Sequence, residues 1–424
     1  MSEKTVDPSE SGRWAEMKAL AESDLSPDAG RASRWRGARS HLPTSPPGPD
    51  ALLHPEEPRR MPRRFADPLL EPIAEKVLRG ERLTKADGLA CFATRDLNGL
   101  GAIADWRKTA LHGDQAYFVF NRQINPTNLC VLDCKFCDYA HHPRDPKGYS
   151  MTIDQILAKI TPELNEVHIV GGLHHEWRFE QYVEVVRQIR RAFPKLPIKA
   201  YTAVEIDFFA KIAKRSIEEV LETLVDAGLD SMPGGGAEVF SERVRQELFP
   251  KKIGAAAWLN VHRVAHQMGI PSNCTLLYGH METHEERVDH LILLRELEDE
   301  APGFLAFIPL AFQTGYSNIV ERGPSAVEDL KTIAVARLLL DNVPHIKSYW
   351  VMLGEDTASV GLNFGASDLD GTILEERIAH AALASSPVGL ARERLLQMIH
   401  EAGKLPVERD ALYKVVARYA PVVA

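Results

Sequence analysis

The sequence predicts an α/β fold, a (β/α)8 TIM-type barrel with added N- and C-terminal helices. Three observations predict it. Short apolar runs suited to strands alternate with amphipathic runs of helical period between about residues 115 and 384. Capping pairs, Ser or Thr followed three residues on by Glu or Gln, open the helical runs at Thr152/Gln155, Ser216/Glu219, Thr283/Glu286 and Ser325/Glu328. The alternation gives eight strand–helix units, the number at which a parallel sheet closes on itself.

Residues 1–64 read as a disordered tail. Pro43, Pro46, Pro47, Pro49, Pro55, Pro58 and Pro62 crowd one stretch with few large apolar groups, which buries too little surface to offset ordering entropy. Residues 65–114 read as a helical segment. Ile73, Val77 and Leu78 form one stripe ended by Gly80, Thr84 with Asp87 opens a second run, and Asp96 opens a third.

The barrel is expected over 115–384. Its strands are predicted at 117–124, 166–170, 198–203, 229–232, 272–278, 304–310, 346–352 and 359–364, with a helix from about Ile373. The link between the last two strands is too short for a good helix. A doubly wound open sheet is the rival, but Pro233-Gly234-Gly235-Gly236 after the fourth strand is not the G-x-G-x-x-G of dinucleotide binders. Residues 385–424 read as a C-terminal helical segment, with Leu395, Leu396, Met398 and Ile399 on one stripe. Helices from both chain ends are expected to cover the barrel mouth.

Composition narrows the function. A net charge of -9 argues against nucleic acid as the main partner, because phosphate binding needs a basic surface. No run is long and apolar enough for a membrane span, and the N-terminus has no apolar signal region. Five cysteines in 424 residues make no disulfide framework, and free thiolates suit a reducing cytoplasm. Cys91, among apolar neighbours, is expected as a buried small residue, and Cys274 stands far from it in sequence.

The other three cysteines carry the chemistry. Cys130, Cys134 and Cys137 fall within eight residues at the spacing C-x3-C-x2-C, on a loop after the first strand. Three close thiolates are a metal site with one position left open. A closed zinc site stays open as a reading, with His141 or His142 as fourth ligand and a non-catalytic zinc-binding protein as the result. Unliganded thiols are the plainest alternative.

In a barrel the active site lies at the C-terminal ends of the strands. Gly171-Gly172 after the second strand lets a backbone approach a ligand closely, and His174 and His175 follow it. Glu205 and Asp207 follow the third strand, where a carboxylate suits hydroxyls or an ammonium group, or the start of a helix. Gln313 and Asn318, with Arg322 beyond, follow the sixth strand, and Asp368 follows the predicted eighth. Polar groups converging from several strands are what a small-molecule pocket needs.

These motifs resemble a family. The cysteine spacing, with Phe136 before the last cysteine, resembles the radical S-adenosylmethionine (SAM) enzymes. The stretches 121–128, 168–174, 232–238, 368–372 and 404–409 resemble the subgroup comprising aminofutalosine synthase, dehypoxanthine futalosine cyclase and the deazaflavin (F420 precursor) synthase subunits. The stretch 203–211 is most similar to the first of these, in the menaquinone (futalosine) pathway. The resemblance covers about residue 66 to the end.

It implies a 4Fe–4S cluster on Cys130, Cys134 and Cys137, and SAM held among Phe136, Tyr139, Gly171, Gly172 and Glu205. Leu173 stands where the family often has Glu. The implied reaction adds the 5′-deoxyadenosyl radical to the vinyl carbon of 3-[(1-carboxyvinyl)oxy]benzoate, giving aminofutalosine, methionine and bicarbonate. The hydrogen-abstracting siblings are the alternative. SAM would be consumed, and a one-electron donor such as flavodoxin or ferredoxin is implied as partner. The catalytic residues are not identified. His174, His175, Gln313, Asn318, Arg322 and Asp368 are the candidates, most of them to meet the dianionic substrate.

Overall fold

The computed structural model describes residues 61, 62 and 64–420. The tail expected over 1–64 therefore lies almost wholly outside the described residues.

Eight parallel strands pair in a ring. Strand one is continuous but for Phe120, as β1 (Gln115–Val119) and β2 (Asn121–Ile124). β2 pairs with β3 (Glu166–Ile169), and β3 with β4 (Ile198–Ala200). Single bridges, Lys199 to Ser231 and Met232 to Ser272, carry the pairing through the short fourth strand to β5 (Ser272–Tyr278). β6 (Phe304–Ala311) and β7 (His345–Ile346) follow. A bridge from Lys347 to Asp368 reaches β8 (Asp368–Gly371), which pairs with β1 and completes the circuit.

The predicted helix starts hold for physical reasons. Thr152, Ser216 and Thr283 each accept the N–H three residues on, while the partner side chain returns to the cap N–H. Thr202 with Glu205 makes a further box that opens a helix straight after β4. Ser325 accepts the Glu328 N–H alone.

Three stretches depart from expectation. Residues 346–352, read as the seventh strand, are strand only at their start, in His345–Ile346, and a short helix, Trp350–Leu353, takes their end. Residues 359–364, read as the eighth strand, are instead the end of a helix, Glu355–Gly361, and the turn that follows it. The true strand is Asp368–Gly371, whose acids hide it from an apolar pattern until Arg409 and Lys347 neutralise them at 2.9 and 3.1 Å. Among the described residues the C-terminal segment is helical only over Arg392–Glu401. β9 (Leu405–Arg409) then runs parallel to β1, and β10 (Val415–Arg418) antiparallel to β9. This hairpin takes the edge of strand one below the point where β3 takes over.

The N-terminal helices, Leu70–Leu78, Lys85–Ala93 and Leu97–His112, do not cover the mouth as expected. They dock on the outer helical layer. Lys331 donates to the carbonyls of Phe92 and Thr94 at 2.8 and 2.6 Å, and Arg295 to that of Leu83 at 2.9 Å. The mouth is narrowed by two loops instead. The loop after β6 reaches the cysteine loop, where the Tyr316 N–H donates to Asp138 at 2.9 Å. The segment after β8 folds inward at Ile378–Ala382, pinned by Glu376, which accepts the Ile378 N–H at 2.8 Å.

Candidate active site

A cavity of about 330 Å³ opens at the C-terminal ends of the strands. The chain leaves Ile124 into the cysteine loop, which is closed as a small folded unit. Leu129 and His141 bridge across it, as do Thr127 and Ser150. The Tyr139 hydroxyl donates to the Thr127 carbonyl at 3.1 Å and lies 2.8 Å from the Tyr149 hydroxyl. The Val131 N–H donates to the Leu173 carbonyl at 3.0 Å, fastening the loop to the Gly171-Gly172 turn.

Cys130, Cys134 and Cys137 all line this cavity, with Phe136 and Tyr139 beside them. Among the described residues no three His, Cys, Asp or Glu side chains are already closed into a metal-binding set. The donor chemistry nonetheless fits a cluster. Burial pushes the Cys130 thiol up to about 11, while the N–H groups of Leu173 and Leu132 face its sulfur and lower it. The N–H groups of Ala140 and Tyr139 do the same for Cys137. Amide donors around thiolate sulfur are a usual outer shell of iron–sulfur sites. The fourth-ligand role for histidine is not favoured. His141 pairs with Asp145 at 2.8 Å, and neither His141 nor His142 lines the cavity.

Sequence reasoning passed over a cation here. Lys252 pairs with Glu238, and its Nζ lies 5.4 Å from the Phe136 ring centroid. Burial works against its charge, but Glu238 and the neighbouring Cys134 hold its pKa above the ordinary value. A lysine beside thiolates offsets negative charge that a buried cluster would otherwise leave uncompensated. Its signal in the sequence is slight: one of two lysines in a loop more than a hundred residues past the cysteines.

Gly171, Gly172 and Glu205 line the same cavity. Glu205 accepts the N–H of Gly171 at 3.1 Å and that of Thr202 at 2.7 Å. Burial still outweighs these donors and pushes its carboxyl up to about 7. Asp207 lies outside the cavity lining and pairs with Lys211 at 2.8 Å.

Of the candidate catalytic residues, only Gln313 lines the cavity. Its amide donates to the carbonyls of Ala311 and Met352, each at 3.0 Å. His174 instead caps its own turn, accepting the N–H of Glu176 at 3.0 Å and stacking on Trp177 and His175 at 4.9 and 4.8 Å. Asn318 and Arg322 are exposed on the loop after β6. Asp368 lies buried below the cavity, held by Arg409. These residues were picked from positions after strands, and the loops carry them aside. The strands themselves supply polar residues to the cavity: Asn121, His168, Lys199, Asn273 and Asp370. The signal was the alternation in Glu166-Val167-His168-Ile169, which turns acid and imidazole to one face.

Comparison with known proteins gives the family. Residues 124–294 match the radical SAM superfamily, and residues 301–421 match the CofH/MqnC C-terminal region. The aminodeoxyfutalosine synthase of Thermus thermophilus is 45% identical over 84% of this chain and 98% of its own length. That of Streptomyces coelicolor is 40% identical over 82% of this chain and 94% of its own. Among solved structures, methylornithine synthase superposes with a TM-score of 0.63 at 18% identity, covering 79% of this chain and 97% of that one. That likeness speaks for the fold.

Proposed function

This chain belongs to the radical SAM superfamily, among the members that carry the CofH/MqnC C-terminal region, and from that premise we propose that it is an adenosyl transferase of the futalosine route to menaquinone. It joins the 5′-deoxyadenosyl group of SAM to 3-[(1-carboxyvinyl)oxy]benzoate, with aminofutalosine, methionine and bicarbonate as products. The observation that carries the reading is one cavity lined both by the whole C-x3-C-x2-C set and by Gly171-Gly172, in a chain so similar to an aminodeoxyfutalosine synthase along nearly all of that enzyme's length. The zinc reading gives way to this family.

Cys130, Cys134 and Cys137 would hold a 4Fe–4S cluster, which together with SAM supplies a 5′-deoxyadenosyl radical. The chain's own residues supply position, charge and dryness. Lys252 balances thiolate charge while Glu238 fixes the lysine. Glu205 holds the Gly171 N–H and the Thr127 carbonyl that of Gly172, so the turn keeps one shape at the cavity wall, where it would meet the amino-acid end of SAM. Phe136 and Tyr139 close the side of the pocket nearest the cysteines.

A primary carbon radical attacks almost anything, so water must be absent and the alkene close by. Leu132, Leu277, Ile308, Leu310, Phe312 and Ile378 give the cavity apolar walls. Such walls exclude water and offer the radical no hydrogen-bonding partner, and the reaction would need its carbons within about 3–3.5 Å of each other.

We place the catalytic unit at 115–384, with 65–114 and 385–424 as flanking segments. Among the described residues no helix is long and apolar enough to cross a membrane. A cytoplasmic setting, with flavodoxin or ferredoxin as electron donor, completes the reading. Its test is anaerobic incubation of the reconstituted protein with reductant, SAM and the enolpyruvyl benzoate, followed by mass spectrometry. The expected product carries both purine and arene. Quantitative recovery of the enolpyruvyl benzoate, with SAM consumed, overturns it.

A further inference from the structure

The interior of a barrel is usually filled by branched apolar side chains, and the floor of this cavity is not. Gln123, His168, Lys199 and Ser231 stand in register on four neighbouring parallel strands. Residues in register on a parallel sheet turn to the same face. Gln123, His168 and Lys199 line the cavity, and Asn273 joins them from β5.

These groups differ in how far the fold satisfies them. Lys199 pairs with Glu166 in the layer beneath at 2.7 Å. Gln123 reaches Glu376 at 3.5 Å. His168 is partly open to the cavity, yet its Nε2 is shut away without a hydrogen-bond partner among the described residues, as is the Ser231 hydroxyl. Nε2 itself is closed to a ligand, so the ring meets the cavity by its open edge, where Nδ1 is the nitrogen left for a ligand among the described residues.

We propose that this floor binds the ring carboxylate of an aryl carboxylate substrate, through the imidazole N–H of His168 with Lys199 and Asn273 as further donors. The inference rests on the reaction proposed above and names its recognition site. Three features favour an anion with its charge at this depth. The donors lining the floor are an imidazole, an ammonium shared with Glu166, and carboxamides. The acids of the layer are matched by Lys199 with Glu166, Lys347 with Asp370 and Arg409 with Asp368, and Glu376 beside Gln123 is held by His380 at 2.8 Å and by the N–H groups of Ile378 and Ala379. Unpaired acidity sits higher instead, at Glu205 beside Gly171, where the cationic cofactor is expected. The substrate must also present its vinyl carbon toward the cysteine loop at the strand ends. The carboxylate on the ring is its most remote group, and His168 lies one level below Val170-Gly171-Gly172.

Burial and the nearby Lys199 hold the His168 pKa down to about 3, so the free pocket presents a neutral ring that donates one N–H. A carboxylate hydrogen-bonded there counteracts that depression, and an uncharged analogue does not.

The test uses holoenzyme with SAM and no reductant. Equilibrium binding is measured for the enolpyruvyl benzoate and for its analogue with the ring carboxylate replaced by a carboxamide. Wild type is expected to favour the acid by about tenfold or more, the usual worth of a charge-assisted hydrogen bond. His168→Gln is expected to weaken the acid until the preference falls below about threefold, with the amide bound nearly as before. Asn273→Ala, which leaves every buried ion pair intact, is expected to move the preference the same way and serves if His168→Gln does not fold. Retention of the full preference in the folded variants, or equal loss of acid and amide, overturns the assignment. If wild type forms the adenosyl adduct while the variants keep the preference, the reaction stands and the floor assignment alone falls. If wild type binds neither compound, both fall.

Discussion

The α-carbon of Gly172 packs against the backbone carbonyl of Leu129 so closely that a β-carbon there would lie 2.2 Å from the oxygen. Leu129 precedes Cys130, so this contact sets where the cysteine loop departs from the barrel. Backbone cannot swing aside as the end of a side chain can. Gly172→Ala is expected to displace the loop and to leave less than half the wild-type iron after reconstitution. Gly235→Ala is the control, because its β-carbon meets only the Thr202 methyl at 3.2 Å; it should cost no more than about 1 kcal/mol and load normally. Normal iron in Gly172→Ala would mean that the loop is positioned by other contacts.

The cysteines divide by location. Anaerobically prepared protein is expected to be brown, with about four irons per chain at full loading. Cys130→Ala, Cys134→Ala and Cys137→Ala should each prevent normal assembly. Cys91→Ala and Cys274→Ala should not, since both side chains are buried in the core away from the cavity. Iron analysis and visible absorption decide it, and wild-type iron in any of the first three removes that residue from the ligand set.

Glu298 gives a pH prediction away from the site. Burial lifts its carboxyl from 4.5 up to about 8, although the N–H groups of Gly303 and Phe304 oppose the shift. The folded value lies above the unfolded one. The group's contribution to stability is therefore fully present below about 4.5 and lost as pH rises through about 8. Glu298→Gln keeps an acceptor for those N–H groups and removes the charge. The melting temperature of the variant relative to wild type should climb steadily from about pH 5 to about pH 9. A difference independent of pH would contradict the account.

A chain starting at Met61 is expected to fold and to keep activity. The expectation rests on the proline-rich composition before Phe65. Met61 and Phe65 themselves pack against the core, so the truncation preserves the first contacts the structure describes. An insoluble product would make the tail part of the fold.

Much of this protein was legible in the residue pattern, and the exceptions have a common cause. The capping pairs and the alternation placed most strands and helices. The cysteine loop was singled out by its spacing, and the Gly171-Gly172 turn and Glu205 by their positions after strands; all of them line one cavity. What escaped was polar structure inside the barrel. Asp368–Gly371 carries two acids and looks like a loop until Arg409 and Lys347, distant in sequence, are set against them. Lys199 looks like an interruption in a three-residue strand until Glu166 is seen beside it at 2.7 Å. Lys252 acquires meaning only next to Glu238 and Phe136. Local pattern reports which face is apolar, and it is silent where burial is made tolerable by partners remote in the chain. His174 and His175 show the converse, since standing just past a strand did not bring them into the cavity.

The central claim is that the adenosyl group becomes part of the product. The measurement is the fate of SAM labelled in its adenosine moiety, incubated anaerobically with the reconstituted protein, a chemical reductant and saturating 3-[(1-carboxyvinyl)oxy]benzoate. The account predicts that label moves mainly into a compound containing both the purine and the arene, with methionine released in equal amount. Label appearing mainly as free 5′-deoxyadenosine would contradict it, and would assign the chain to the hydrogen-abstracting branch of its family.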